Sequence, residues 1–488
     1  MYLARKTIAT RIISAFVVLL LLLPLCFAVN ASGVPTSSGT TYYISDSLGN
    51  DENNGTSEST PWKSIERLSQ VNLTAGDKVL FRSGDIWYGA FELDVSGGEP
   101  ENPITFSSYG EGAKPSLRLY TGSVPMVTEG ICLRLWNANG FVMDGLDIGY
   151  ANLGIKLCYD VDHYESDYVC FKNCHFHDIY GVTQLDYLSE IYFSAGIAVS
   201  VEGSDWKNGD AEGNGWALRG LYIDQCTAYD AGSLVASTGG VYGFYMTDCV
   251  TEENGYYGTG AFGCRNGYID RCVFKNSGSR DIPAGSCGIM ISATDFTIKN
   301  TIIMGQQRQG SNPDGCGIDF EWDCHNVVVE NCLFQENAGV GIMYFTSGQG
   351  ENGTNYDTHI RNCYFVNNNT NIGNVGGYDI YATAYASSNC EITGNKYICT
   401  DMKYAETIDF VLALENNDLL LENNVELDAI PENLEAMILN PEQVPQDKNQ
   451  DEDSNIILYC IIAAIAAIIL STVIWAFIAL CKKKSVSK

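Results

Sequence analysis

The chain has 488 residues, 45% of them hydrophobic, enough to bury a core in one large domain or in two to three ordinary ones. Charged residues make up only 18% while Gly reaches 49 and Tyr 29, which argues against coiled-coil, long-helix and disordered classes and for a β-rich fold with many turns. Lys and Arg number 28 against 59 Asp and Glu, and a formal charge of −31 repels phosphate backbones, so nucleic acid is not an expected partner.

In chain order, residues 1–31 read as a secretory signal peptide. Arg5, Lys6 and Arg11 precede an apolar run from Ile12 to Ala28, and small residues around Ala31 and Ser32 suit cleavage. A stretch rich in Gly, Asn and Asp follows, with Tyr42, Tyr43, Gly49, Asp51, Asn54, Pro61 and Trp62, then Gly76, Asp77, Gly84, Asp85 and Trp87, and Pro103–Phe106.

Beyond it one phrase recurs: Val169–Cys174, Leu221–Cys226, Phe244–Cys249, Gly267–Cys272, Val327–Cys332 and Thr358–Cys363, with Thr301 and Asn395 in the cysteine position of two further copies. The steps are 52, read as two turns, then 23, 23, 29, 31, 31 and 32 residues, the period of a solenoid. Apolar and polar residues alternate within each repeat, as in strands, and Asn, Gly and Asp separate the runs. A second strand precedes the phrase in several repeats, beginning at Gly196, Gly288, Gly317 and Gly341. Short strands with no helical segment between them fit a parallel β-helix better than a leucine-rich horseshoe or a propeller. Stacked coils about 4.7–4.9 Å apart turn the repeated cysteines into an inward column. Parallel side chains in register hold their Cβ atoms wider than the roughly 3.5–4.5 Å of a disulfide, so buried free thiols are expected. His175 and His177 are read as flanking a turn rather than binding zinc.

Residues 41–116 together with this periodicity resemble the secreted right-handed parallel β-helix proteins of the pectate-lyase-like superfamily. The resemblance implies an N-terminal cap, expected as a short helix around Pro61–Gln70, covering the edge of the first coil. It implies a carbohydrate-active or surface protein but no particular activity, since that superfamily holds lyases, hydrolases, epimerases and proteins without known chemistry. The expected fold class is all-β: a right-handed parallel β-helix over 78–428 after a cap region at 32–77, plus one C-terminal transmembrane helix.

Residues 429–454 read as an acidic stalk. An uncharged run within 455–481 is long enough to span about 30 Å of hydrocarbon. Lys482, Lys483 and Lys484 then place the tail 482–488 on the cytoplasmic side, with a monomeric ectodomain outside the cell membrane.

The most unusual strand is Gly317–Asp323, where Ile318, Phe320 and Trp322 alternate with Asp319, Glu321 and Asp323. Aligned on the repeats, Asp319 and Glu321 replace Met290 and Ser292 one coil earlier and Met343 and Phe345 one coil later. Asp379, placed in the Asp319 column two coils on, makes Asp319 and Asp379 the expected acid/base pair on the outer face. Their separation of about 9.5 Å falls at the upper end of the range for inverting glycosidases. Glu321 joins them as a catalytic candidate, Phe345, Tyr381 and Arg308 as substrate-binding candidates, and Asp323 with Glu321 as a candidate Ca²⁺ site. The hydrolase reading needs no cofactor. The residues leave three functions open: polysaccharide hydrolysis, Ca²⁺-dependent lysis of a polyuronate, and binding without cleavage.

Overall fold

A computed structural model describes residues 39–125, 130–160, 166–181, 194–201, 215–236, 239–281, 285–321, 323–345, 354–371, 377–400, 409–413 and 417–441. The expected signal peptide, membrane span and basic tail lie outside these residues. Among the described residues no helix is long and apolar enough to cross a membrane.

Residues up to 429 form one unit, a solenoid of parallel strands with three faces. The repeated phrase supplies the first face. Val169–Lys172 pairs with Leu221–Asp224, that strand with Phe244–Thr247, and so on coil by coil. The residue just before the cysteine position then turns the chain onto the second face. Asn173, Gln225, Asp248, Arg271, Asn300, Asn331 and Asn362 all adopt positive φ there, between 49° and 56°, and Gly394 does the same at 66°. The left-handed backbone at this corner explains why Asn, Asp and Gly fill most of these positions, since they tolerate that region best. The third face is built by the strands read as preceding the phrase, among them Ile197–Val201, Cys316–Phe320, Ile342–Tyr344 and Tyr378–Ala382.

The core stacks like on like. Phe106 lies 5.0 Å from Phe141, and Phe334 lies 4.8 Å from Phe365, ring centre to ring centre. The cysteines are free and form the expected column, with Cys174, Cys226, Cys249, Cys272, Cys332 and Cys363 all within 1% of full burial. Each corner thiol also donates weakly to carbonyls. Cys226 Sγ lies 3.4 Å from Phe171 O of the coil before it, and Cys363 Sγ 3.6 Å from Val329 O. Where the column holds Asn395, its Oδ1 takes the Cys363 amide at 2.9 Å, so the substituted residue still serves the corner.

A second internal ladder had no counterpart in the sequence reading. After the second face, Gln306, Asn337 and Asn368 stack inside the turn: Gln306 N donates to Asn337 Oδ1 at 3.1 Å, and Asn337 Nδ2 to Asn368 Oδ1 at 2.9 Å. Such ladders satisfy backbone and amide groups that would otherwise be buried without partners.

Two expectations about register are corrected. The 52-residue step is one coil, because Val169 pairs directly with Leu221. The solenoid begins inside the region assigned to the cap, since Thr41–Ile44 already pairs in parallel with Lys78–Phe81. Its outer edge is covered by the following loop, where Trp62 N donates to Tyr43 O and Tyr43 N to Gly55 O, while the helix Ile65–Leu68, capped by Ser64, sits just beyond. His175 and His177 lie in the strand His175–Ile179 on the second face, which starts just past the corner at Asn173, so they do flank a turn. Past residue 429 a separate unit is described over 430–441, where Leu434–Leu439 forms a short helix within the expected stalk.

Candidate active site

The strand Cys316–Phe320 keeps the alternation read from its sequence. Ile318 and Phe320 enter the main core, and Asp319 faces the other way between Met290 of the coil before and Met343 of the coil after. That outer face is not open. Tyr256, Tyr257, Cys287, Met290, Cys316, Val340 and Met343 form a second apolar cluster over it, with Phe262, Phe345, Tyr378 and Tyr381 packed at its margin. Asp319 is therefore 2% exposed, and its Oδ1 is buried without a hydrogen-bond partner. Phe345 and Tyr381 do lie at this site, Tyr381 by a register two residues from the one expected.

Glu321 follows the strand, held by its amide to Ile291 O at 3.0 Å, and is half-buried. Its carboxyl group interacts directly with that of Asp319. A third acid, absent from the sequence reading, completes the cluster: Asp314 lies in the loop before the strand, half-buried, within electrostatic reach of Asp319, Glu321 and Arg308. Its carboxylate fills the space a side chain at Gly285 would need, because a Cβ there would meet Asp314 Oδ2 at 2.0 Å. The available hint was position alone, an Asp-Gly turn between Arg308 and an acidic strand. Arg308 is fixed by Nε donating to Asn312 O at 2.9 Å.

Crowding and burial set the protonation of this cluster. Loss of water pushes Glu321 up to about 7, opposed by the bond from Asp319 and reinforced by the charge of Asp314. Burial pushes Asp314 up to about 6, with Arg308 working against it. Asp319 stands well above the usual carboxylate range, first through burial and then through the charge of Glu321. At neutral pH the three groups thus hold protons and charges together, the arrangement that acid–base chemistry requires.

Asp379 is not part of it. Ile318 pairs with Ile342 and Ile342 with Ile380, so Tyr381, not Asp379, stands in the Asp319 column. Asp379 occupies instead the column of Gly317 and Gly341, two residues away. There it is 4% exposed and ends the internal amide ladder, its Oδ1 accepting from Asn368 Nδ2 at 2.9 Å. Asp323 also departs from the expected face: it takes positive φ beyond the strand end, is 64% exposed and pairs with His325 Nε2 at 2.9 Å. Among the described residues, no group of three ligand atoms close enough to share an ion includes Glu321 or Asp323.

Fold and cluster together define a parallel β-helix with a desolvated carboxylate group on one face. The family described as right handed beta helix region matches residues 219–425, which gives the solenoid its hand. A lacto-N-biosidase of Bifidobacterium longum subsp. longum is 36% identical over 115 residues, covering 22% of this chain and 7% of that protein. The chain thus spans a small part of this curated relative's length. A crystal structure of a GH136 lacto-N-biosidase from Eubacterium ramulus superposes with a TM-score of 0.58 at 16% identity, over 79% of this chain and 68% of that one. That likeness is one of fold.

Proposed function

We propose that this chain is a carbohydrate-active β-helix enzyme that hydrolyses glycosidic bonds, with Asp314 and Glu321 as the pair that meets the sugar. The observation that supports this most directly is the graded exposure of three neighbouring carboxyls beside an apolar cluster. Asp319 is sealed from solvent, so it serves as a positioning residue on Glu321, while Asp314 and Glu321 are half-buried and can reach a bound glycan. Glycoside hydrolysis needs one carboxyl that gives a proton to the leaving oxygen and one carboxylate that attacks or activates water. Glu321 holds its proton to about 7 and suits the acid, whereas Arg308 favours the anion of Asp314. Phe345 and Tyr381 supply apolar surface for a sugar ring at the margin. No step here is routed through Ca²⁺.

The partial match to a lacto-N-biosidase supports a glycan ending in lacto-N-biose as the first substrate to try. We further place the enzyme at the cell surface, secreted through residues 1–31 and tethered by 455–481. The test is to incubate the full chain, with and without Ca²⁺, with a chromogenic lacto-N-bioside and a polysaccharide panel. New reducing ends are expected, and Asp314→Asn and Glu321→Gln should each lower kcat by about 10²–10⁴-fold. Unsaturated products absorbing in the ultraviolet would establish a lyase instead, and retention without cleavage a binding protein.

A further inference from the structure

On the second face, three neighbouring coils place Ser116, Asp147 and His175 directly opposite one another, in strands Ser116–Arg118, Asp147–Ala151 and His175–Ile179. His177, two residues on, projects from the same face. It stands opposite Gly149, where a Cβ would come within 2.7 Å of its Nε2, so the missing side chain lets the ring lean toward Asp147. Both rings converge on one carboxylate: His175 Nδ1 lies 2.8 Å from Asp147 Oδ1, and His177 Nε2 lies 3.1 Å from Asp147 Oδ2. One ligand atom from each residue falls within 4.8 Å of the others.

From this geometry we infer that Asp147, His175 and His177 form a binding site for a divalent transition ion of the zinc type. Two imidazole nitrogens and one carboxylate oxygen are the donor set such ions take, and it is too nitrogen-rich for Ca²⁺ or Mg²⁺. Supporting contacts fit the assignment. His177 Nδ1 pairs with Asp178 Oδ2 at 2.7 Å, which fixes the proton on Nδ1 and leaves Nε2 as the metal-facing nitrogen. Ser116 Oγ donates to Asp147 Oδ2 at 2.6 Å and is itself held by Arg118 Nε at 2.9 Å. Stacked strands fix all these groups, so little ordering is left for the ion to impose.

The three side chains line a cavity of about 420 Å³ together with Lys114, Arg118 and Thr227. Three protein ligands leave the cavity side of the ion open to water or to a small anion, which Lys114 and Arg118 favour. The site lies on a different face from Asp319 and does not depend on the proposed hydrolase.

The full chain, stripped with a chelator, is titrated with Co²⁺ and followed by visible absorption, then with Zn²⁺ by calorimetry. Saturation at one ion per chain, Co²⁺ displaced by Zn²⁺, and a rise in melting temperature are expected. Asp178→Asn should weaken Zn²⁺ binding by about 10–100-fold, and His177→Gln by at least as much. Absence of saturable binding, or unchanged affinity in either folded variant, overturns the assignment. Should His177→Gln fail to fold, as judged by circular dichroism, Asp178→Asn decides, since it touches no ligand atom.

Discussion

Replacing Asp379 by Asn tests whether this acid ends the amide ladder. Asn presents the same Oδ1 to Asn368 Nδ2, so the bond at 2.9 Å is kept while the ionisable group is lost. Burial raises the Asp379 carboxyl from 3.8 to about 7 in the folded protein, with the Asn368 bond opposing. Below about pH 4 the carboxyl is protonated in both folded and unfolded chains and has no effect on the balance. Between there and pH 7 the unfolded chain sheds the proton while the folded one retains it, so wild-type stability falls as pH rises. At about 1.4 kcal/mol per pH unit the full loss is on the order of 4 kcal/mol, reached by pH 8. The variant escapes this loss. Urea denaturation at pH 4, 5.5, 7 and 8 should therefore find the two proteins alike at pH 4 and the variant more stable by up to about 4 kcal/mol at pH 8. Other titrating acids cancel in the difference because both chains carry them. A difference that did not change with pH, or a variant weaker throughout, would refute the reasoning and mean that the carboxylate is ionised against a partner. Hydrolase activity should survive the substitution.

The pH profile of kcat/KM should be bell-shaped with its maximum between about 6 and 7, reporting the coupled titration of Asp314 and Glu321. Asp319→Leu removes the group whose bond lowers Glu321, so the alkaline limb should move to higher pH, and an unmoved limb would deny Asp319 its positioning role. Asn337→Ala leaves the buried Gln306 N without its acceptor and removes the Nδ2 bonds to Asn368 Oδ1 and Ile303 O, while the backbone amide of residue 337 still reaches Asn368 Oδ1; it should cost about 1–3 kcal/mol in denaturant unfolding. Cys226, Cys249, Cys332 and Cys363 should react with thiol reagents slowly in the native protein and rapidly in urea; quick native labelling would place them outside the core. Deleting residues 455–488 should release a secreted, folded ectodomain, and an insoluble product would make the apolar run part of the fold.

The solenoid was legible in the sequence because each of its causes is local. Alternation of apolar residues marks the strands, a left-handed residue, most often Asn, Asp or Gly, marks the corner of the repeated phrase, and a small buried residue follows it at a fixed interval. The face of Asp319 was equally legible, since parity along a strand decides which way a side chain points. Register was not. A two-residue slip preserves parity, so Gly377–Tyr381 can be laid beside Gly317–Glu321 in two ways, and only the stacking of Ile380 on Ile342 selects the one that sends Asp379 into the ladder. Nor could the sequence say that the outer face around Asp319 is roofed by Tyr256, Tyr257 and Val340, residues from two coils that only the stacking brings together. Asp147 joins His175 and His177 for the same reason. Residues far apart in the chain acquire a shared chemistry only when coils of unequal length stack in parallel, and that stacking is a property of the assembled fold.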